Sequence, residues 1–214
     1  TKYLMMPFIK ICGIKSLTEV KVAKENNAQW YGLVFFKKSP RNINFKKAEL
    51  IVKQAPKLIY PIAVTVNPDE TLIKKLVDIG LGNIQLHGNE TVEYCIFLKK
   101  KFNIKIFKGI GLETEDDINE AKKYSKIVDW IIFDKKDDFM HGGTGKSFNW
   151  NILSKVDINI NYIISGGLTH KNVLEALTLT GAKGVDVSSG VEENHGVKSE
   201  ELISKFCNSV KLFK

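Results

Sequence analysis

The sequence predicts an α/β protein built as a single (β/α)8 TIM barrel, with eight parallel strands around a closed core. Three observations lead to this prediction. Short apolar segments alternate with longer amphipathic segments from end to end, and eight such pairs can be counted. Neither a G-x-G-x-x-G motif nor a P-loop follows the first strand. The glycine-rich strand exits lie in units seven and eight, where barrels of this class often bind phosphate.

The elements follow from the spacing of apolar residues along the chain. Strands are predicted near 8–12, 31–36, 61–66, 83–87, 104–108, 129–134, 160–164 and 184–187. Helices are predicted near 16–26, 44–54, 69–79, 90–101, 114–124, 147–154, 169–179 and 199–212. Several helices begin at a residue able to cap the first turn, such as Ser16, Asn44, Thr114 and Thr169.

A doubly wound open sheet is the main alternative fold, because it shares the same alternation of strands and helices. The missing dinucleotide motif and the late position of the glycine-rich exits favour the barrel. A chain of 214 residues is long enough for one core, and no Pro/Gly-rich linker interrupts it. We therefore expect residues 1–214 to form one catalytic domain.

Composition and charge narrow the classes of partner. Hydrophobic residues make up 43% of the chain and charged residues 26%, which is ordinary for a globular protein. The formal net charge is +8, but the lysines neither cluster in one segment nor alternate with aromatic residues. This distribution argues against a nucleic-acid surface and still attracts an anionic substrate.

The cysteines and the apolar runs bear on the location of the protein. Cys12, Cys95 and Cys207 are odd in number and far apart, with no C-x-x-C spacing and no histidine at metal-ligand spacing. The stretch through Phe8 is too short for a secretory signal, and no apolar run reaches the roughly 20 residues that span a bilayer. We expect a cytoplasmic protein with no metal and no membrane partner.

Small residues follow the last two predicted strands directly. Tyr162-Ile163-Ile164-Ser165 runs into Gly166 and Gly167, and Gly184-Val185-Asp186-Val187 runs into Ser188, Ser189 and Gly190. Residues this small let backbone N–H groups approach an anion closely. The sequence therefore predicts a phosphate-binding cradle made from two neighbouring loops.

Two reactive side chains are predicted at strand exits of the same barrel mouth. Cys12 shares its inward parity with Lys10 on the first strand, and Asp134 shares its parity with Trp130 on the sixth. A thiol and a carboxylic acid across a pocket can act as general base and general acid. Each also has an ordinary structural explanation, since a lone cysteine often packs in a core and an aspartate often caps a turn.

Other residues near the predicted mouth have two possible roles each. Arg41 follows Pro40 after the second strand and is equally consistent with a carboxylate-binding guanidinium or a surface arginine. His87 ends the fourth strand, and a hydrogen-bonded structural role is favoured over a catalytic one. Because barrel closure makes strands one and eight neighbours, we expect an ion pair between Lys10 and Asp186.

Six segments taken together resemble the phosphoribosylanthranilate isomerase family. They occur in family order and cover nearly the whole chain. The segments are Lys10-Ile11-Cys12-Gly13, Ser39-Pro40-Arg41, Gln85-Leu86-His87-Gly88, Gly142-Gly143-Thr144-Gly145-Lys146, Ser165-Gly166-Gly167-Leu168 and Gly184-Val185-Asp186-Val187-Ser188-Ser189-Gly190-Val191-Glu192.

The resemblance implies a (β/α)8 barrel that catalyses an Amadori rearrangement of a phosphosugar in tryptophan biosynthesis, without a cofactor. It implies that Cys12 is the general base and Asp134 the general acid, and that Arg41 binds the anthranilate carboxylate. It assigns substrate binding to a further set of residues, namely Gly143, Gly166, Gly167, Ser188, Ser189 and Gly190. One departure from the family pattern stands at Thr65, where an aromatic residue is common.

Alternatives remain at this point. Indoleglycerol-phosphate synthase and the tryptophan synthase α subunit are phosphosugar barrels of the same pathway, but they use other acid and base residues. A non-catalytic phospholigand-binding barrel would keep the cradle without the chemistry. The sequence leaves a monomer and a homodimer equally open.

Overall fold

Eight parallel strands close into one barrel, in chain order from β1 to β8, and β8 pairs with β1. The computed structural model describes residues 6–136, 149–154 and 160–213. The predicted (β/α)8 fold is confirmed. The barrel strands are β1 Phe8–Cys12, β2 Trp30–Val34, β3 Tyr60–Thr65, β4 Asn83–Leu86, β5 Lys105–Leu112, β6 Trp130–Lys135, β7 Tyr162–Ile164 and β8 Gly184–Val187.

Helices connect successive strands and cover the outside of the barrel. They are α1 Leu17–Glu25, α2 Phe45–Gln54, α3 Glu70–Asp78, α4 Val92–Phe102, α5 Glu115–Tyr124, α6 Asn151–Ser154, α7 Val173–Thr180 and α8 Glu200–Lys211. Residues 147 and 148, where the sixth predicted helix begins, lie outside the described residues. In the described ranges, no helix combines the length and the apolarity needed to cross a membrane.

Most of the predicted caps are present, and one is wrong. The side chains of Ser16 and Asn44 accept hydrogen bonds from the first turns of α1 and α2. The helix predicted from Thr169 begins instead at Val173, with Asn172 as its N-cap residue. Asn172 Oδ1 accepts a hydrogen bond from Thr169 N, so the segment before α7 forms a turn that competes with the helix.

Aromatic side chains fill the end of the barrel opposite the strand exits. Phe8 stacks on Trp30 with ring centroids 4.8 Å apart, and Trp130 meets both rings edge-on at 5.3 to 5.4 Å. Phe107 completes the group against Trp30. Phe8, Trp30 and Trp130 start their strands, and Phe107 is the register partner of Trp130. This aromatic group closes the barrel below the residues that reach its mouth.

Two elements differ from the expected pattern. β5 continues to Leu112, well past the predicted end at 108, because β6 offers pairing partners to both Gly109 and Gly111 in the closed sheet. A small hairpin, β9 Glu192–Asn194 with β10 Val197–Lys198, follows β8 and a 3-10 turn over Ser189–Val191. The two strands of this hairpin are short and polar, so they lack the alternation of apolar and polar residues from which a strand is predicted.

Candidate active site

A buried ion pair occupies the centre of the barrel just below its mouth. Lys10 and Asp186 are register partners on β1 and β8, and Lys10 Nζ lies 2.9 Å from Asp186 Oδ2. The Lys10 side chain is fully buried. Burial alone would lower the pKa of Lys10, but Asp186 and Cys12 more than offset this and raise it. The expected pair is confirmed, and Lys10 is a fixed cation inside the barrel.

Cys12 stands two residues further along β1, at the strand exit. A side chain at Gly32, its register partner on β2, would place a Cβ atom 2.9 Å from Cys12 Sγ and 3.3 Å from Lys10 Nζ. The thiol and the ammonium group therefore share the space that this glycine leaves open. Burial raises the pKa of Cys12, whereas Lys10, which also hydrogen-bonds the thiol, acts to lower it. Lys10 is thus the main group that stabilises a thiolate here.

Asp134 lies near the exit of β6 with its carboxyl group partly exposed. Its Oδ1 accepts a hydrogen bond of 2.7 Å from Lys135 N, and its Oδ2 lies 3.8 Å from His87 Nε2. Burial raises the pKa of Asp134 and outweighs the lowering effect of His87. A carboxyl group with a raised pKa keeps its proton at higher pH, as a general acid must.

His87 is held beside this acid by two features of neighbouring strands. Gln85 Nε2 lies 3.1 Å from His87 Nδ1, which agrees with the predicted hydrogen-bonded role. Gly109 on β5 makes room for the ring, since a Cβ atom there would lie 2.3 Å from His87 Nδ1. The proximity of His87 to Asp134 was not predicted, because β4 and β6 are not adjacent. The alternation of side chains along a strand shows which residues point inward, but not how close the ends of two separated strands lie.

The two predicted phosphate loops are in direct contact. A Cβ atom at Gly190 would lie 1.8 Å from the carbonyl oxygen of Leu168, so the loop after β8 packs on the backbone of the loop after β7. Gly166 and Gly167 have φ angles of +79° and +67°, in the left-handed region that favours glycine. Among the described residues, none accepts a hydrogen bond from the amides of Gly166, Gly167, Ser189 or Gly190.

The cradle also borders the candidate acid. A Cβ atom on Gly166 would lie 2.9 Å from Asp134 Oδ1 and 2.8 Å from Lys135 N. An anion held by these amides would therefore sit next to the carboxyl group at the exit of β6. Gly143, the remaining residue assigned to substrate binding, lies outside the described residues.

Arg41 is buried, so the alternative of a surface arginine is wrong. The residue is 7% exposed and its Nε and Nη2 atoms donate to Glu192 Oε1 and Oε2, both at 2.7 Å. Its aliphatic stem passes Gly13, where a Cβ atom would lie 2.6 Å from Arg41 Cδ. Gly13 follows Cys12, so the guanidinium group lies close to the exit of β1.

A second buried cation joins this arrangement. Lys198 Nζ donates to Glu192 Oε1 at 2.7 Å and to Ser188 O at 2.9 Å. Ser188 Oγ in turn donates to Cys12 O at 3.1 Å. Sequence reasoning gave no role to Glu192 or Lys198, although Glu192 ends one of the family-like segments. Its place at the end of a motif rich in binding residues was the available signal.

The fold and the family-like segments lead to one assignment. Residues 9–209 match the family model described as N-(5'phosphoribosyl)anthranilate (PRA) isomerase. The chain belongs to this family. The resemblance inferred from the six segments is confirmed, and it covers nearly all of the chain.

Named relatives and solved structures of PRA isomerases agree over almost the full length. The chain is 37% identical over 205 residues to the enzyme of Zymomonas mobilis subsp. pomaceae, covering 95% of this chain and 97% of that one. It is 39% identical over 210 residues to that of Rhizobium leguminosarum bv. trifolii, covering 96% and 95%. The crystal structure of the Thermotoga maritima enzyme superposes with a TM-score of 0.89 at 32% identity, covering 96% and 99%.

A further PRA isomerase structure contains a ligand. It was determined in complex with reduced 1-(o-carboxyphenylamino)-1-deoxyribulose 5-phosphate. That structure has a TM-score of 0.85 and 30% identity to this chain, and the match covers 96% of this chain and 99% of the other. Its ligand carries a phosphate at one end and an aromatic carboxylate at the other.

Thr65 is the residue at which the sequence predicts a departure from the family pattern. The residue is fully buried, and its hydroxyl group donates to Gln85 O at 3.0 Å. Thr65 therefore ties the end of β3 to Gln85 on β4, the residue whose side chain also contacts His87.

Replacement of Gly190 by alanine is expected to disrupt the two loops that are predicted to bind phosphate in this PRA isomerase. The new methyl group would collide with Leu168 O, a backbone atom that cannot rotate away, so the loops must separate. We expect KM for the phosphorylated substrate to rise at least about tenfold and stability to fall by about 1–3 kcal/mol. Steady-state kinetics and thermal unfolding measure the two effects.

Gly82 provides the matched control for this substitution. A Cβ atom at Gly82 would meet nothing within 4 Å, and the residue lies between α3 and β4, before the strand begins. Gly82→Ala should leave KM unchanged. Equal KM values for the wild type and Gly190→Ala would show that the contact between the two loops does not support substrate binding.

Proposed function

We propose that this chain converts N-(5-phosphoribosyl)anthranilate to 1-(2-carboxyphenylamino)-1-deoxyribulose 5-phosphate, an Amadori rearrangement in tryptophan biosynthesis, with Cys12 as general base and Asp134 as general acid. One observation carries the assignment of roles. The thiol of Cys12 and the carboxyl group of Asp134 stand at the exits of β1 and β6. Both sense the same buried ion pair, because Lys10 acts to lower and Asp186 acts to raise the pKa of each group. Family membership supplies the reaction itself.

The first step is opening of the ribose ring. Asp134 donates its proton to the ring oxygen while the bond between that oxygen and C1 breaks. The lone pair of the anilino nitrogen forms the new C1=N bond, giving a protonated Schiff base. The raised pKa of Asp134 suits this role, because the acid must hold its proton until the substrate arrives.

The second step moves a proton away from C2 of the opened sugar. The Cys12 thiolate removes it, and the C2–H electrons flow toward the Schiff-base nitrogen to give an enolamine. Protonation at C1 and loss of the hydroxyl proton at C2 then give the ketone, so atoms and electrons balance. The Schiff base is itself the electron sink for this step. Lys10 stabilises the thiolate that begins it.

The remaining site residues hold the two ends of the substrate. We assign the phosphate to the two contacting loops, through Gly166, Gly167, Ser188, Ser189 and Gly190. Arg41 takes the anthranilate carboxylate near the exit of β1. Gly143 belongs to the proposed binding set and lies outside the described residues. The aromatic carboxylate and phosphate of the ligand bound by a relative match these two ends.

We further propose a single catalytic domain over residues 1–214, located in the cytoplasm, as a monomer or a homodimer. The proposed base requires a reduced sulfur atom, and all three cysteines are free thiols. The Thermotoga maritima relative is described as a dimeric enzyme from which monomers were generated. Sedimentation of the purified protein measures whether it is a monomer or a homodimer.

The decisive experiment follows the fluorescence of freshly generated phosphoribosylanthranilate with and without the purified protein. Its disappearance should accelerate in proportion to protein concentration, with 1-(2-carboxyphenylamino)-1-deoxyribulose 5-phosphate as the product. Inorganic phosphate should compete with the substrate. Binding without turnover would support the alternative, a non-catalytic phospholigand-binding barrel, and would contradict the proposed reaction.

The pH dependence of kcat/KM is expected to be bell-shaped. The reaction needs Cys12 deprotonated and Asp134 protonated in the free enzyme. Activity therefore falls at low pH, where the thiolate is lost, and at high pH, where the acid is lost, whichever of the two groups has the lower pKa. Burial raises the pKa of both groups, so both limbs should lie at higher pH than for exposed side chains. Initial rates at low substrate concentration, with activity checked after return to neutral pH, measure the profile. A rate that levels off at high pH without falling would contradict a required acid.

A further inference from the structure

The Glu192 carboxylate accepts four hydrogen bonds near the mouth of the barrel. Its side chain is 4% exposed and accepts from Arg41 Nε, Arg41 Nη2 and Lys198 Nζ at 2.7 Å each, and from Gly196 N at 3.0 Å. Burial opposes its ionisation, but Arg41 and Lys198 prevail and lower the pKa of Glu192 to about 2. Glu192 is therefore an anion throughout the range in which enzymes are assayed.

The two hydrogen bonds that Arg41 donates to Glu192 use only one edge of its planar guanidinium group. A guanidinium carries five N–H donors, and Glu192 engages Nε and Nη2 on the same side. The end of the group, an adjacent edge, is formed by Nη1 and the second hydrogen of Nη2, and no described residue accepts a hydrogen bond from Nη1. That edge has the geometry to bind a second carboxylate with two hydrogen bonds.

The charges of the cluster also favour a second anion. Arg41 and Lys198 are two cations buried around a single carboxylate, so the group of three carries one net positive charge. Burial of unbalanced charge is unfavourable, and a carboxylate from a ligand would balance it. Without Glu192, the two cations would repel each other, and Arg41 would have no partner to hold its orientation.

Glu192 also connects the two ends of the proposed substrate site. Through Lys198 it reaches Ser188 O, at the start of the loop assigned to phosphate. Through Arg41, whose aliphatic stem passes Gly13, it reaches the exit of β1. The Glu192 cluster therefore lies beside both the exit of β1 and the start of the loop after β8.

We propose that Glu192 is a positioning residue that determines selectivity for a carboxylated aromatic amine. It binds one edge of Arg41 and thereby presents the other edge to the ring carboxylate of the substrate, without touching the substrate itself. The proposal rests on the proposed function, and specifically on Arg41 as the carboxylate-binding residue. It adds a specificity determinant that lies 151 residues away from Arg41 in the sequence.

The test compares two substrates that differ only in the ring carboxylate, N-(5-phosphoribosyl)anthranilate and N-(5-phosphoribosyl)aniline. In the wild type, kcat/KM should be clearly higher for the carboxylated substrate. Glu192→Gln should lower kcat/KM for that substrate by about 10–100-fold, mainly through KM, because a charge-assisted contact is misaligned. For the aniline compound the value should change by less than about threefold. The neighbouring Glu193, which is exposed, gives the control Glu193→Gln with no change for either substrate.

Each other result contradicts the proposal in a distinct way. Equal losses for both substrates would mean that Glu192 only maintains the loop, and no loss for either would mean that it does not orient Arg41. If Glu192→Gln does not fold, Glu192→Asp keeps the charge but moves the carboxylate by one methylene group. It should show the same selective loss, and unchanged selectivity would overturn the proposal. Failure of the proposed function is recognised separately, because the wild type would then turn over neither compound.

Discussion

Replacement of Cys12 by alanine is expected to lower kcat by about 10²–10⁴-fold, the range that one positioned proton-transfer group supplies. The thiolate is the group proposed to remove the proton from C2, and no other described side chain at the exit of β1 can replace it as a base. The fully buried Lys10 ammonium is paired with Asp186 and is a cation, so it cannot accept the proton. Single-turnover and steady-state kinetics measure the loss.

Cys12→Ser is the matched control for this prediction. A hydroxyl group preserves the size of the side chain and a hydrogen-bonding atom beside Lys10, but its proton is far harder to remove than that of a thiol. The serine variant should therefore fold as the wild type does, with nearly unchanged thermal unfolding, and should still lack activity. Near-full activity in either variant would show that Cys12 is a packing residue.

Asp134→Asn is expected to lower kcat by a similar factor, about 10²–10⁴-fold. The amide has the shape of the carboxyl group and can still accept the hydrogen bond from Lys135 N through its oxygen atom. It cannot deliver an acidic proton to the ribose ring oxygen, so ring opening should become rate-limiting. The change should appear in kcat rather than in KM, because the substrate is held by its phosphate and carboxylate ends.

Asp116 offers a comparison for the loss of one negative charge. It lies exposed near the start of α5, on the outside of the barrel, and Asp116→Asn should leave kcat unchanged. Thermal unfolding of both variants separates a catalytic effect from a folding effect. An Asp134→Asn enzyme that retains most of the wild-type kcat would require another acid, and His87, 3.8 Å from Asp134, would be the first to examine.

Much of the site could be predicted because strand periodicity relates residues locally. Lys10 and Cys12 are two positions apart on β1 and therefore point to the same side, and the structure bears this out. The pair of Lys10 with Asp186 was also accessible, since closure of an eight-stranded barrel makes the first and last strands neighbours. These inferences need only the period of a strand and the order of strands in the sheet.

Other contacts depend on distances that no local pattern encodes. His87 reaches Asp134 across the mouth from a non-adjacent strand, and that approach depends on the tilt of the strands and on the space left by Gly109. Arg41 meets Glu192 because the polar hairpin that begins at Glu192 follows β8, the neighbour of β1 in the closed barrel. For the same reason, the sequence alone could not decide between a carboxylate-binding role and a surface position for Arg41.

The sequence by itself determined the barrel, the candidate base and acid, and the two loops that are predicted to bind phosphate. Apolar periodicity, strand parity and small residues at strand exits are properties of neighbouring positions, so they can be read without coordinates. Only the tertiary structure decided how Arg41, Glu192 and Lys198 combine, and that His87 faces Asp134. Long-range electrostatics and hydrogen bonding require atoms within a few ångströms, and barrel closure alone brings such distant residues that close.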